Sequence, residues 1–122
     1  MNLDFTPDEE EFRLQARTWL AENLPREQRP PEGDEMRAFD LAWQRTLFEG
    51  GWAGINWPVE YGGRGLTPAH SVAWITECAL AQVPAFHYMV GIVLTGGSLL
   101  AFGTPEQKAQ HLAPIIEGDK VW

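Results

Sequence analysis

Three Thr-Pro pairs, at Thr6-Pro7, Thr67-Pro68 and Thr104-Pro105, punctuate this chain, and each opens a stretch with helical spacing of its apolar residues. A threonine hydroxyl accepts from an early backbone N–H, and proline fits the first helical position, where no intrahelical donor is needed. Three helix starts are therefore written into the sequence. Two of them extend to a capping box, Thr6 to Glu9 and Thr104 to Gln107, in which the side chain three residues on reaches back to the cap.

From Thr6 the residues Phe12, Ala16, Trp19 and Leu20 recur on one helical face, with Asp8, Glu9 and Glu10 beside the positive end of the dipole. The helix has to stop before Pro25, and the proline-rich, charged stretch to Gly33 reads as a surface loop. Met36, Phe39, Trp43 and Leu47 predict a second helix from about Asp34 to Glu49, ended by Gly50-Gly51. The segment from Gly51 to Leu66 has turn composition, yet it carries Trp52, Ile55, Trp57 and Tyr61, so it should be pinned to the core.

A third helix from Thr67 would group Val72, Ile75 and Ala79 on one face and end near Gln82, because Pro84 restricts Val83. A fourth spans about Phe86 to Phe102. The fifth, from Thr104, carries Leu112, Ile115 and Ile116 inward, with Pro114 disturbing its last turn and Gly118 ending it. Short connections favour antiparallel neighbours, so the expected fold is all-α, a compact bundle of about five helices. Asp119 to Trp122 reads as the start of a strand.

At 122 residues the chain suits one globular unit. Its net charge of −8 opposes binding to nucleic acid or to an anionic membrane surface. The most apolar stretch, Met89 to Phe102, is broken by Gly91, Gly96 and Gly97 and is shorter than the roughly 20 residues of a membrane-spanning helix. Cys78 is the only cysteine, which excludes an intrachain disulfide and fits a cytoplasmic location; no targeting segment is visible at the start. Six tryptophans are many for this length, and some are candidates for contacts with other domains.

Catalytic chemistry is hard to find. His70, His87 and His111 are scattered and form no metal-ligand spacing, so no metal site is expected. Ser71, Ser98 and Cys78 lack the supporting motif of a nucleophile, and the acids Asp8 to Glu11 are explained by the helix start. Gly62-Gly63-Arg64-Gly65 does not follow the phosphate-loop pattern and reads as a turn. Gly91, Gly96 and Gly97 are different, because each should cost about 1 kcal/mol of helix stability relative to alanine. They imply either close helix packing or room left for an apolar ligand.

Two segments carry a resemblance. Trp57-Pro58-Val59-Glu60-Tyr61-Gly62-Gly63 with Gly65 resembles the Pro-x-x-Tyr-Gly-Gly-x-Gly loop of acyl-CoA dehydrogenases. Phe102-Gly103-Thr104-Pro105-Glu106-Gln107-Lys108, leading to Leu112-Ala113-Pro114 and Gly118, resembles their Gly-Thr/Ser-x-Glu-Gln-Lys stretch. With Phe5-Thr6 and Glu9 the resemblance covers essentially the whole chain.

The resemblance implies the N-terminal helical domain of such an enzyme over residues 1–118, with 119–122 leading into a middle β-domain. It implies a flavoprotein that holds FAD mainly in domains other than this one. A glutamate of the C-terminal bundle would abstract the α-proton of an acyl-CoA while the flavin takes the β-hydride, so this chain would hold no catalytic and no cofactor-binding residue. Its part would be one wall of the acyl pocket, with Tyr88, Val90, Gly91, Leu94, Thr95 and Ser98 as candidate substrate-binding residues.

The same resemblance implies fatty acid metabolism, an electron-transfer flavoprotein as acceptor, and a homotetramer or a paired subunit. The glycines suggest a wide pocket for a bulky, long or ring-bearing acyl group. An acyl-CoA oxidase, a related flavin monooxygenase and a non-catalytic helical partner subunit are the competing readings.

Overall fold

In the computed structural model of the chain, residues 4–83 and 89–119 are described, with the backbone alone at 89 and 90. The elements run α1 (Pro7–Asn23), α2 (Gly33–Glu49), a 3-10 turn (Val59–Tyr61), α3 (Pro68–Leu80), a π-helix (Met89–Thr95), α4 (Gly96–Phe102) and α5 (Pro105–Glu117). The all-α reading holds, with no strand among the described residues. The expected strand start at 119–122 lies, Asp119 apart, outside them.

Each Thr-Pro pair opens a helix. Glu9 N donates to Thr6 Oγ1 at 3.2 Å and Thr6 N to Glu9 Oε2 at 3.1 Å, and the same reciprocal pair joins Thr104 and Gln107 at 3.2 and 2.9 Å. At Thr67 the returning group is a histidine, Nδ1 of His70, 3.3 Å from Thr67 N. A ring nitrogen thus does what a carboxylate does at α1, a substitution the acid-or-amide pattern does not cover.

Phe12, Ala16 and Leu20 of α1, Trp43 and Leu47 of α2, and Leu112, Ile115 and Ile116 of α5 are buried in one core. Pro114 does not interrupt α5, which runs on to Glu117 and closes at Gly118 with φ 84°. The loop after α2 is pinned as its aromatics required, with Trp52, Ile55 and Trp57 at 4–6% exposure. Trp52 stacks on Trp74 at 4.6 Å between ring centroids and an interplanar angle of 18°, with Trp19 alongside. Four of the six tryptophans thus serve the core of this domain: Trp43, Trp52, Trp57 and Trp74 are all buried.

One face is reversed from expectation. Val72, Ile75 and Ala79 of α3 share a side, but it is the exposed one; the buried side is Ala73, Trp74, Glu77 and Cys78. The cause is Glu77, 2% exposed, whose carboxylate accepts from Arg13 Nε at 3.0 Å, Arg17 Nε at 3.1 Å and Arg17 Nη2 at 2.9 Å. A paired, hydrogen-bonded carboxylate tolerates a core position that its residue type alone assigns to the surface.

Two further polar ties cross between segments. Arg29 grips buried Asp40 through two bonds of 2.7 and 2.6 Å, fixing the proline-rich loop to α2. Buried Gln44 donates to the carbonyl of Ile115 at 2.6 Å, satisfying an acceptor in the last turn of α5.

The hydrogen bond from Arg17, helped by its charge and by Arg13, holds the Glu77 carboxyl below its ordinary value of 4.5 against the opposing effect of burial. A lowered carboxyl contributes stability that is complete above its unfolded value and is lost as pH falls through the folded one. Glu77→Gln should therefore destabilise the chain by about 2 kcal/mol at pH 7 and flatten the loss of stability below about pH 4.5. Urea unfolding of both proteins across this range checks it.

Candidate substrate wall

The segment singled out for its glycines is not a plain α-helix. Met89–Thr95 forms seven residues of π-helix, and the chain passes through Thr95 at φ −68° and ψ −49° directly into α4 without a break. Such widened turns are rare and recur at functional sites.

Trp57 holds this segment in place. Its indole N–H donates to the carbonyl of Ile92 at 3.3 Å, and its ring lies where a side chain on Gly96 would be: a Cβ there would come within 2.2 Å of the indole. Gly96 is therefore a packing glycine and opens no pocket. Gly97, one residue on, would place a Cβ with nothing within 4 Å. The loop motif is explained by the same indole residue: Gly62 takes φ 97°, and a Cβ on Gly63 would sit 2.1 Å from the Trp57 carbonyl oxygen.

Of the six sequence-predicted wall residues, Leu94, Thr95 and Ser98 come together on one open depression of about 470 Å³. Gly91 is buried and does not line it, its carbonyl oxygen instead lying close to Gly96. Val90 lies on the π-helix with its side chain outside the described residues, and Tyr88 lies outside the described residues altogether.

Leu99, Phe102, Gly103 and Gln107 complete the depression, and sequence reasoning missed them. Their signal was present, since Leu99 and Phe102 follow Thr95 at four and seven residues, one helical face. Phe102 is 90% and Leu94 58% exposed, a large apolar area left to water.

The lining is chemically plain. It offers two hydroxyls and one amide and no charged side chain, and no trio of metal-ligating side chains exists among the described residues. It can bound an apolar group and donate an occasional hydrogen bond; it cannot neutralise a phosphate or move a proton. These residues accordingly fit an acyl group and do not fit the pyrophosphate of FAD.

The profile of the family described as acyl-CoA dehydrogenase, N-terminal domain, matches residues 6–119. The chain belongs to the acyl-CoA dehydrogenase family, as its N-terminal domain. It is similar to acyl-CoA dehydrogenase IpdE1 of Mycobacterium tuberculosis, 41% identical over 122 residues, covering 94% of this chain and 32% of the relative. The counterpart in Mycolicibacterium smegmatis is 38% identical, covering 93% and 31%.

Among solved structures, the steroid ACAD Tcur3481-Tcur3483 superposes with a TM-score of 0.78 at 28% identity, over 99% of this chain and 32% of that one. The ChsE4-ChsE5 complex of M. tuberculosis gives 0.70 at 29%, over 98% and 30%. The chain thus spans about a third of the length of the acyl-CoA dehydrogenases it matches.

The two neighbouring glycines should respond oppositely to the same change. Gly96→Ala should cost about 1–3 kcal/mol by forcing the Trp57 indole aside, whereas Gly97→Ala should be neutral or stabilise by up to about 1 kcal/mol. Denaturant midpoints of the two variants check it; equal effects would contradict the packing role given to Gly96.

Proposed function

We propose that the full protein is a flavin-dependent acyl-CoA dehydrogenase, catalysing α,β-dehydrogenation of an acyl-CoA to a trans-2-enoyl-CoA, and that this domain supplies one wall of its acyl pocket. The observation that carries the reading is the uncharged, open face of Leu94, Thr95 and Ser98 where the π-helix passes into α4, in a chain 41% identical to an acyl-CoA dehydrogenase. The face is ready-made for an apolar partner.

In this proposal residues 1–118 are the helical domain and 119–122 lead into a β-domain. FAD, bound mainly by other domains, supplies the hydride acceptor, and the base that takes the α-proton also lies outside this chain. What the residues here do is bind, orient and exclude water: Leu94 and Phe102 cover the acyl group, Thr95 and Ser98 give it polar edges, and Val90 and Tyr88 belong to the same wall, with Gly91 buried behind it.

The acyl group is proposed to be bulky and ring-bearing. The likeness to a structure described as a steroid ACAD favours this. The solved relatives described as ChsE4-ChsE5 and Tcur3481-Tcur3483 name two chains each, which favours a paired or oligomeric assembly here. An electron-transfer flavoprotein as acceptor and a cytoplasmic location complete the proposal. No helix among the described residues is long and apolar enough to cross a membrane.

The test uses the full-length protein, a polycyclic acyl-CoA and butyryl-CoA, followed by reduction of an artificial electron acceptor. Leu94→Trp should lower kcat/KM for the polycyclic thioester relative to butyryl-CoA by at least about tenfold, the scale of a steric change in an apolar pocket. An unchanged ratio would remove Leu94 from the pocket. The 122-residue chain alone should turn over neither thioester, and turnover by it would overturn the division of labour between domains.

A further inference from the structure

A second apolar space lies inside the domain, behind the wall. It is a partly enclosed cavity of about 140 Å³ between α2, α3, the pinned loop and the π-helix. Trp43, Leu47, Trp52 and Trp74 form its depth, and Ile75 and Val93 stand at its exposed side, each about half exposed.

Two features make it more than a packing defect. Among the described residues Trp43, 2% exposed, has a buried indole N–H with no acceptor in reach. A buried donor without a partner is costly, and an acceptor placed beside it would remove that cost. The lining also contains no charged side chain, and its one thiol, Cys78, is kept neutral because burial and the neighbouring Glu77 charge push it up to about 12.

The polar groups near Ile75 are largely engaged. Asn56 donates to the carbonyls of Leu66 at 2.9 Å and Thr67 at 3.0 Å, and accepts from the Ser71 hydroxyl. Trp43 is the indole of the lining whose N–H is fully buried without an acceptor.

We propose that this cavity is a binding site for a neutral, single-ring molecule bearing one hydrogen-bond acceptor, such as a cyclic ketone, whose oxygen takes the Trp43 indole N–H. The size agrees: an engineered apolar cavity of about 150 Å³ holds one benzene ring. The site does not depend on the acyl-pocket reading. It shares an element with the candidate wall, since Ile92 and Val93 line the cavity while Leu94 and Thr95, next on the same π-helical turn, line the depression. A ligand that braces that turn couples the two sites, and the coupling is reciprocal.

Cyclohexanone is the probe, titrated into the 15N-labelled full-length protein and followed through its tryptophan indole N–H resonances. The Trp43 signal, assigned by its absence in Trp43→Phe, should move saturably with a dissociation constant of the order of 1 mM. Methylcyclohexane, matched in size but without an acceptor, should bind at least about fivefold more weakly, the loss of one hydrogen bond. Trp43→Phe keeps the cavity and removes the donor, so the preference for the ketone should vanish there. Cys78→Leu fills the space and should abolish binding of both.

No saturable shift of Trp43, equal binding of ketone and hydrocarbon by the native chain, or an undiminished ketone preference in Trp43→Phe would each overturn the proposal.

Discussion

Trp57 is the residue on which the arrangement of this domain turns. It sits in a loop of turn composition, yet it is buried, and three separate features are shaped to it. Gly63 leaves room for its backbone, Gly96 for its ring, and the carbonyl of Ile92 accepts its indole N–H. The loop motif and the glycine-rich helix, far apart in sequence, are the two halves of one contact. Without it the π-helical turn would lose the partner that holds the Ile92 carbonyl, and the face carrying Leu94, Thr95 and Ser98 would lose its backing.

That contact also decides which glycines are structural and which face space. Reading Gly91, Gly96 and Gly97 together as missing side chains that widen a pocket treats three different environments as one. Gly96 is filled by an indole, Gly97 faces open space, and Gly91 is buried away from the depression. The breadth of the candidate wall comes from its outward-facing Leu94 and Phe102 standing free of this domain's core.

Legibility in the sequence followed the range of the interaction. The helix starts at Thr6 and Thr104 were readable because a capping box is closed within four residues. Leu112, Ile115 and Ile116 were readable because their helix buries only apolar side chains on its core face. The inward face of α3 was not, because Glu77 belongs to the core only through Arg13 and Arg17 of α1, sixty or more positions away. The π-helix was equally hidden: its geometry answers to Trp57, 35 positions from Ile92, and no local periodicity encodes it. Of the candidate wall, Leu94, Thr95 and Ser98 were named from the sequence, and Leu99 and Phe102 were overlooked although they follow Thr95 on one helical face, while Gln107 reaches the depression from α5.

The central claim is that residues 94–103 form a surface that acyl-CoA covers. Hydrogen exchange of the full-length protein with and without a bound acyl-CoA measures it directly, because a covered, ordered segment exchanges more slowly. The account predicts slowed exchange concentrated on the amides of 94–103, with α1 and α2 unchanged. Slowing spread evenly over the domain, or absent from 94–103, would contradict it.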